Sequence, residues 1–386
     1  MSCKLSIITV CYNSEKTIER TIKSVITQDY TDYEYIIVDG GSTDGTIDII
    51  RKYSPYITRW ISEPDEGIYD AMNKGIQLSS GELIAFINSD DWYVEGAFKA
   101  VANCYSDNGE YDLIYGDVFQ IENGEKQEVS YKKSDLKQLY VRFFIIHQAI
   151  FVKNSLMKAY LFDTEYDVAA DYDFVLKLYK SGRVFYHLDR PIVYFSPGGY
   201  SNANSAKLAS EYKKISLAAI ADDQEMKSKY EKAIEDHYYS TMYLVYKDQN
   251  DFSTYASKWI ENKFDKNCFY FIFGAGVTGR RCLKILRNGG VRHVFFVDND
   301  KEKQGESIDG ACIIPPDRLR RKRNVKIVIS SLANETGIRK QLNSIVSNRG
   351  IIRTYSEIVG SMIKDYEEST GSSLIQNDGE KLRSFW

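Results

Sequence analysis

Two adjacent carboxylates close the stretch Phe86-Ile-Asn-Ser-Asp-Asp-Trp92. The apolar run Leu83–Ile87 reads as a buried strand, so Asn88, Ser89, Asp90 and Asp91 fall just past its carboxyl end. In open α/β sheets, ligands bind in the crevice outside that end. Two like charges there repel unless something positive sits between or beside them. A hard divalent cation, Mn2+ or Mg2+, bridging to a diphosphate meets that need. The same residue types also make ordinary turns and caps. A second pattern lies far down the chain. Gly274-Ala-Gly276-Val-Thr-Gly279 directly follows the apolar run Phe269–Phe273 and opens a helical stretch, and Asp298 comes nineteen residues after Gly279. This matches the dinucleotide fingerprint, in which glycines let the backbone approach phosphate and an acidic residue meets the ribose.

The elements that must position these groups alternate. Leu5–Tyr12 is an apolar strand ending at Asn13-Ser14, which can cap the helix carrying Ile18, Ile22, Val25 and Ile26. Tyr35–Val38 is a second strand, followed by the turn-rich Asp39–Gly45 and a helix over Thr46–Tyr53. Ile57–Ile61, a helix over Gly67–Leu78 and Leu83–Ile87 continue the series. Alternation of this kind argues a mostly parallel, doubly wound α/β sheet. Further on, Leu113–Ile121 begins a hairpin, Ala149–Val152 is a strand, Asp171–Tyr179 a helix and Val184–Phe195 strand-rich. Helical periodicity over residues 206–262 reads as a connector. The boundaries expected are therefore 1–203 for the first α/β domain, 204–265 for the connector, 266–360 for a small Rossmann-like α/β domain, and 361–386 for a polar, disordered tail.

Composition narrows the classes. A length of 386 residues allows two or three domains, and 43% hydrophobic content supports a sizeable core. A net charge of −4 gives no electrostatic reason to expect nucleic acid as a partner. The six cysteines are scattered without a CxxC pair, which points to reduced, buried thiols, no zinc site and a cytoplasmic location. The chain passes straight into a strand pattern, so no signal peptide is expected. The longest apolar run, Phe143–Val152, is interrupted by His147 and Gln148 and is too short to span a bilayer. Any membrane contact is expected to be peripheral.

With these residues placed, the first 200 or so residues resemble the family 2 glycosyltransferases, inverting enzymes with the GT-A fold. The resemblance is carried by Ile7-Ile-Thr-Val-Cys-Tyr-Asn13, Ile37-Val-Asp-Gly-Gly-Ser-Thr-Asp-Gly45, Asn88-Ser-Asp-Asp91 and Ala170-Asp-Tyr-Asp-Phe174, in order and each at an element boundary. The segment Ser62–Gly75 is similar to the bacterial polysaccharide and O-antigen branch. Two positions depart from the family pattern. Asn88 stands where the first Asp of Asp-X-Asp-Asp would be, and Ala170 replaces a frequent Glu.

The resemblance implies roles residue by residue. Asp39 contacts the donor base, with turn capping as its alternative role, and Thr9, Tyr12 and Glu15 lie beside it in the same crevice, although Tyr12 could instead be plain core. Asp65 and Lys74 lie near the donor sugar and phosphates, although Lys74 could instead pair with Asp70 at i−4. Asp91 holds the metal, Mn2+ or Mg2+, and Asp90 contacts nucleotide or metal. Asp171 is the base that takes the acceptor's proton, with helix capping as its alternative role. Asp173 forms an exposed pair with Lys177. His147 lines the acceptor side, or is a plain core histidine. Gly198-Gly199-Tyr200-Ser201 forms a flap over the donor, or a turn. The fingerprint residues Gly274, Gly276, Gly279 and Asp298 resemble the nucleotide sites of small domains appended to polysaccharide-biosynthesis proteins.

The function implied is inverting transfer of a sugar from a nucleotide-sugar donor, a UDP-sugar, to a glycan or polyprenyl-diphosphate-linked acceptor. It would take place in cell-surface polysaccharide assembly at the inner face of the plasma membrane. A nucleotidyltransferase is the nearest rival, but Cys11–Lys16 has no glycine to wrap a phosphate. Two more rivals would act through the C-terminal domain: a nucleotide-binding scaffold, or an NAD(P)-dependent protein. No Tyr-x-x-x-Lys pair follows the fingerprint to support dehydrogenase chemistry.

Overall fold

A computed structural model describes residues 3–108, 111–122, 124–132, 134–199, 204–320, 326–330, 335–346 and 352–371. The chain divides into two compact units, one ending at Gln224 and the other beginning at Glu225.

The first unit runs β1 (Leu5–Cys11), α1 (Ile18–Ile26), β2 (Tyr33–Asp39), α2 (Thr46–Tyr53), β3 (Arg59–Ser62), α3 (Ile68–Leu78), β4 (Leu83–Phe86), β5 (Trp92–Tyr93) and α4 (Ala97–Asn108). It continues through β6 (Leu113–Glu122), β7 (Glu125–Val129), β8 (Ile150–Lys153), α5 (Asn154–Tyr160), α6 (Ala170–Lys180), β9 (Phe185–Phe195) and α7 (Ser205–Ile220). One curled sheet holds the strands in the order β3-β2-β1-β4-β8-β6-β9-β5, with β7 paired to β6. β1 to β4 are parallel, whereas β8 runs antiparallel to both β4 and β6. All seven side chains of β1 are buried, as a strand covered on both faces requires. α1 presents Ile18, Ile22 and Val25 to that core. α3 sits directly on β1 because residue 75 is glycine: a Cβ there would fall 2.5 Å from Ile8 Cγ2. This parallel half brings the carboxyl ends of β1, β2 and β4 together on one edge, so the loops after Cys11, Asp39 and Phe86 become neighbours.

The expected connector over 204–265 is divided between the units. α7 belongs to the first: Glu211 accepts from the backbone N–H of Asp167 and of Val168, both at 3.0 Å, and Ser216 meets Tyr172 Oη at 2.7 Å.

The second unit contains α8 (Gln224–Tyr246), α9 (Asn250–Lys263), β10 (Tyr270–Phe273), α10 (Val277–Asn288), β11 (Val294–Val297), β12 (Ser307–Ile308), β13 (Ala311–Ile314), β14 (Lys326–Ile329), α11 (Glu335–Ile345), β15 (Ile352–Thr354) and α12 (Tyr355–Thr370). Its strand order is β12-β13-β11-β10-β14-β15, parallel apart from β12. The first strand lies in the middle and the order reverses beside it, as in doubly wound sheets.

The polar tail expected from residue 361 is corrected in part. α12 opens with a reciprocal capping box between Thr354 and Glu357 and stays helical to Thr370. Met362, Ile363 and Tyr366 are buried, with Tyr366 edge-on to Tyr246 and Phe252. The remainder of that tail, 372–386, lies outside the described residues. All six cysteines are free, but Cys312 is exposed where a buried thiol was expected.

Candidate active site

The loops after β1 and β2 brace each other. Asn13 takes a left-handed conformation (φ 47°), its N–H donates to Ser42 Oγ (2.8 Å), and its Oδ1 accepts from Thr43 N–H (2.9 Å). Glu15 N–H donates to Asp44 Oδ2 (3.1 Å), and Gly45 N–H donates back to Glu15 Oε2 (2.9 Å). These bonds take the place of the capping of α1 expected of Asn13 and Ser14; that helix has Thr17 at its N-cap and no side-chain cap. The braced loops, α3 and the acidic loop enclose a cavity of about 570 Å3 with Tyr12, Glu15, Lys16, Asp44, Asp65 and Asp90 in its wall.

Three residues expected on this donor side are placed elsewhere. Asp39 is fully buried, and its carboxylate accepts from Gly41 N–H (3.0 Å), Ser42 N–H (2.9 Å), Ser42 Oγ (2.5 Å) and Ser62 Oγ (2.7 Å). It shapes the loop and does not line the cavity. Thr9 is fully buried against Tyr35 Oη at 3.0 Å, because it points inward from the central strand. Lys74 forms ion pairs with Glu63 (3.1 Å) and Asp70 (3.2 Å) and donates to Pro64 O (3.0 Å). Asp65 does line the cavity; burial raises its pKa although it accepts from Gly67 N–H (3.0 Å).

The acidic loop is pinned from beneath. Thr21 Oγ1 donates to Asp91 O (2.6 Å), Ser89 Oγ meets Ser14 Oγ (2.7 Å), and Arg20 Nη2 donates to Asp90 O (2.7 Å) while its guanidinium lies 3.6 Å over the Trp92 ring. The two carboxylates then part. Asp91 is 1% exposed, accepts from Ser196 N–H (2.8 Å) and from Gln148 Nε2 (2.6 Å), and is not in the wall of this cavity. Asp90 lines the cavity. Burial raises the pKa of both, with Asp90 raising Asp91 further and Arg20 opposing the shift at each. The assignment of the metal to Asp91 is thus corrected on geometry: both its oxygens are engaged, and Asp90 is the carboxylate open to a ligand.

A second cavity of about 210 Å3 adjoins the first, sharing Ile68, Asn88, Asp90 and Gly199. Gly199 is all that can be placed of the expected flap over the donor, because Tyr200 and Ser201 lie outside the described residues. Asp171 opens α6 in the second cavity's wall. Tyr69 Oη donates to its Oδ1 (2.9 Å), and His147 Nδ1 lies 3.3 Å from its Oδ2. Asp173 turns away and pairs with Lys177 at 2.6 Å, but it is buried, where an exposed pair was expected. Three buried polar atoms around this cavity have no partner among the described residues: Asn88 Oδ1, His147 Nε2 and Gln148 Oε1. Such atoms cost stability unless something else satisfies them.

The family model described as glycosyl transferase family 2 matches residues 6–165. A PGL/p-HBAD biosynthesis glycosyltransferase of Mycobacterium bovis (strain BCG / Pasteur 1173P2) is 31% identical over 204 residues, which cover 51% of this chain and 78% of that protein. The chain belongs to glycosyl transferase family 2. It is similar, too, to an uncharacterized glycosyltransferase of Mycobacterium tuberculosis (strain CDC 1551 / Oshkosh), 33% identical over 177 residues, 45% of this chain and 68% of the relative. The crystal structure of S. aureus TarS 1-349 shares the fold, with a TM-score of 0.50 at 22% identity over 67% of this chain and 78% of that one. A separate model, C2185-like, N-terminal, matches residues 269–352.

In this glycosyltransferase the fingerprint of the second unit is sterically real but closed on itself. Gly274 has φ 102°, and a Cβ on Gly279 would fall 2.0 Å from Gly274 O. Gly276 precedes α10 and has open space around it. Asp298, expected at a ribose, instead accepts from Ala275 N–H (2.9 Å) and Asp300 N–H (3.0 Å) and so holds its own loop. Sequence reasoning also missed wall residues of the transferase's cavities. Lys16 and Asp44 sit in motifs already singled out and could have been found there. Tyr69 lies in the segment Ser62–Gly75, but its role could not be found there, because its partner is 102 positions away.

Proposed function

We propose that the protein transfers a glycosyl group, with inversion, from a nucleotide-sugar donor in the 570 Å3 cavity to an acceptor hydroxyl in the adjoining 210 Å3 cavity. One observation carries this reading: the two cavities meet at Asp90, beside three buried polar atoms that lack partners among the described residues. The larger cavity falls within the roughly 300–1,000 Å3 usual for ligand sites, and Tyr12 offers a ring on which a base can pack. The donor is a UDP-sugar and the acceptor a glycan or polyprenyl-diphosphate-linked glycan in cell-surface polysaccharide synthesis. The acceptor is met at the cytoplasmic face of the membrane by peripheral contact. No helix among the described residues is long and apolar enough to cross a membrane.

The residues fit a divalent metal held mainly by the donor. Among the described residues there is no group of three or more metal-ligating side chains, while Asp90 offers one half-buried carboxylate in the cavity wall. Mg2+ or Mn2+ commonly takes one or two protein carboxylates and fills its remaining positions from phosphate and water. When bound it would stabilise charge on the leaving diphosphate. The chain's own residues do the rest. Arg20, Thr21 and Ser14 fix the backbone of the acidic loop. Lys16 brings a positive charge to a wall otherwise rich in carboxylates. Asp171 supplies the basic charge on the acceptor side.

Calorimetry with UDP-, GDP- and dTDP-hexoses, with and without Mn2+, tests the reading. Metal-dependent binding of a UDP-hexose is expected in wild type and lost in Asp90→Ala. An Asp90→Ala protein that binds the same donor equally well in Mn2+ would overturn it.

A further inference from the structure

The second unit carries cations that its own fold does not use. On α10, Arg280, Arg281, Lys284 and Arg287 are exposed and recur at the three- and four-residue spacing of one helix face. Like charges at that spacing repel. Arg280 and Arg281 also stand near the positive end of the helix dipole, where the first turn holds no acid. Cations elsewhere in the unit are neutralised: Lys232 pairs with Glu335 at 2.7 Å, Arg339 with Glu357 at 3.3 Å and Lys247 with Asp248 at 3.1 Å. Among the described residues the four cations of α10 have no such carboxylate partner; Arg287 donates instead to the backbone oxygen of Asp309. This face borders two cavities. Gly289, just past α10, allows close contact with α9, since a Cβ there would fall 2.1 Å from Ile260 Cγ2. Beside that contact α8, α9 and α10 line a cavity of about 390 Å3, with Tyr243 and Leu244 from α8, Ser257 from α9, and Arg281, Lys284 and Ile285 from α10. An adjoining cavity of about 520 Å3 shares Arg281 and Lys284 and adds Arg280 and Arg287. The two walls hold five cations, Lys247 included, against two carboxylates, Asp248 and Asp309. In a chain of net charge −4 this is a local reversal of sign.

We propose that this cleft of the second unit binds a small organic phosphate, its phosphate held by Arg281 and Lys284 and its apolar body set against Tyr243, Leu244 and Ile285. The inference goes beyond the glycosyl transfer proposed above and does not rest on it. Guanidinium and ammonium groups donate charge-assisted hydrogen bonds to phosphate oxygens. Filling the site with a dianion also relieves the repulsion along α10. The volume lies within the roughly 300–1,000 Å3 of small-molecule sites, which combine apolar walls with a few polar groups. The glycine loop that opens α10 is unsuited to the same anion. Asp298 already accepts from Ala275 N–H there at 2.9 Å, and its carboxylate would repel a phosphate. A membrane surface suits the site less well than a small molecule. Arg281 and Lys284 line a concave cleft, and Val277 is the one large apolar side chain that α10 exposes.

The test is calorimetry on the full chain with UMP, AMP, phenyl phosphate and inorganic phosphate, in EDTA so that a metal-dependent donor site stays idle. Amide exchange locates the site. At least one of the three organic phosphates is expected to bind more tightly than inorganic phosphate, to weaken as salt rises, and to slow exchange in peptides of α9 and α10. Replacing Arg281→Gln and Lys284→Gln together should weaken that binding about tenfold or more, the scale of losing charge-assisted hydrogen bonds. The same variant should melt no lower than wild type, because it removes like charges from one helix face. The proposal is overturned if none of the organic phosphates binds, if protection is confined to the first unit, or if the variant binds as wild type does. It is equally overturned by a variant that melts lower, which makes the cations structural, and by inorganic phosphate binding as tightly as the organic probes, which leaves the apolar wall without a role. Protein that ignores all four probes but sediments with phosphatidylglycerol vesicles, and not with phosphatidylcholine vesicles, would replace the small-molecule site by a membrane-docking face.

Discussion

Gln148 Nε2 donates to Asp91 Oδ2 across 2.6 Å, tying the turn before β8 to the acidic loop after β4. The bond divides the labour of two adjacent acids: Asp91 holds the loop and Asp90 is left facing the cavity.

A contrast in stability follows. Burial raises the pKa of Asp90. A folded-state pKa above the unfolded value means that the folded protein favours the protonated form, so this group's contribution is lost as pH rises through that raised value. At neutral pH the ionised Asp90 therefore weakens the fold. Asp90→Asn should raise the melting temperature at pH 7, with the gain vanishing below the ordinary Asp range of about 4, and should lose metal-dependent donor binding. Asp91→Ala leaves two buried donors, Ser196 N–H and Gln148 Nε2, without an acceptor. It should cost about 1–3 kcal/mol. A stable Asp91→Ala protein that no longer binds donor in Mn2+, beside a normal Asp90→Asn protein, would return the metal to Asp91.

Glu34 titrates in the opposite sense. It accepts from Ser6 Oγ (2.5 Å), Ser80 N–H (2.5 Å), Ser80 Oγ (2.9 Å) and Gly81 N–H (3.0 Å), locking β2 to the turn before β4. Burial pushes its pKa up, but these bonds outweigh burial and leave it below the usual value. A depressed folded pKa stabilises above the unfolded pKa and is lost as pH falls through the folded one. Glu34→Gln should therefore melt lower than wild type at pH 7, and the gap should close from about pH 4.5 downward. A gap that stays constant or widens in acid contradicts the account.

How much of this was legible depends on the range of each interaction. β1 and β4 read directly as unbroken apolar runs, and α2 falls on Thr46–Tyr53 as its flanking turn residues indicate. The loops at the strand ends drew attention to Tyr12, Glu15, Asp65 and Asp90, all of which reach the donor-side cavity wall. What failed was orientation at those ends. Thr9 and Asp39 lie on or at the end of strands buried on both faces, where no alternation tells in from out. Asp90 and Asp91 differ by one residue, and Gln148 and Ser196, 57 and 105 positions away, decide which turns inward. Lys74 follows the i−4 pair with Asp70 that its spacing already allowed. In the second unit, Asp298 matches a spacing whose physical use here is to close its own loop.

The helical end of the second unit was misread because its polar residues mask three buried ones. Tyr366 packs against Tyr246, Phe252 and Tyr255 with ring centroids 5.1–5.7 Å apart. Tyr366→Ala should cost about 3 kcal/mol, on the scale of large aromatic truncations in cores. Amide exchange should quicken in peptides from α12 and stay unchanged in those from β1. Unchanged exchange in α12 would restore the reading of this segment as a loose tail.

The two acids at the start of α6 make the last contrast. Asp171 faces the acceptor-side cavity with Tyr69 at 2.9 Å and His147 at 3.3 Å. Asp173, two positions on, pairs with Lys177, which is half exposed. Asn is nearly isosteric with Asp but is not basic at neutral pH. Asp171→Asn cannot take up the acceptor's proton as the proposed base, so turnover should fall about 10²–10⁴-fold, roughly 3–5 kcal/mol of barrier. Donor affinity should stay near wild type if this cavity receives the acceptor as proposed. Asp173→Asn should leave turnover within a few-fold. Burial raises the pKa of Asp173 and its Lys177 pair opposes that shift, so removing the charge relieves one effect as it loses the other. An Asp171→Asn protein within a few-fold of wild-type turnover, or an Asp173→Asn protein that is the inactive one, would overturn the assignment of the base.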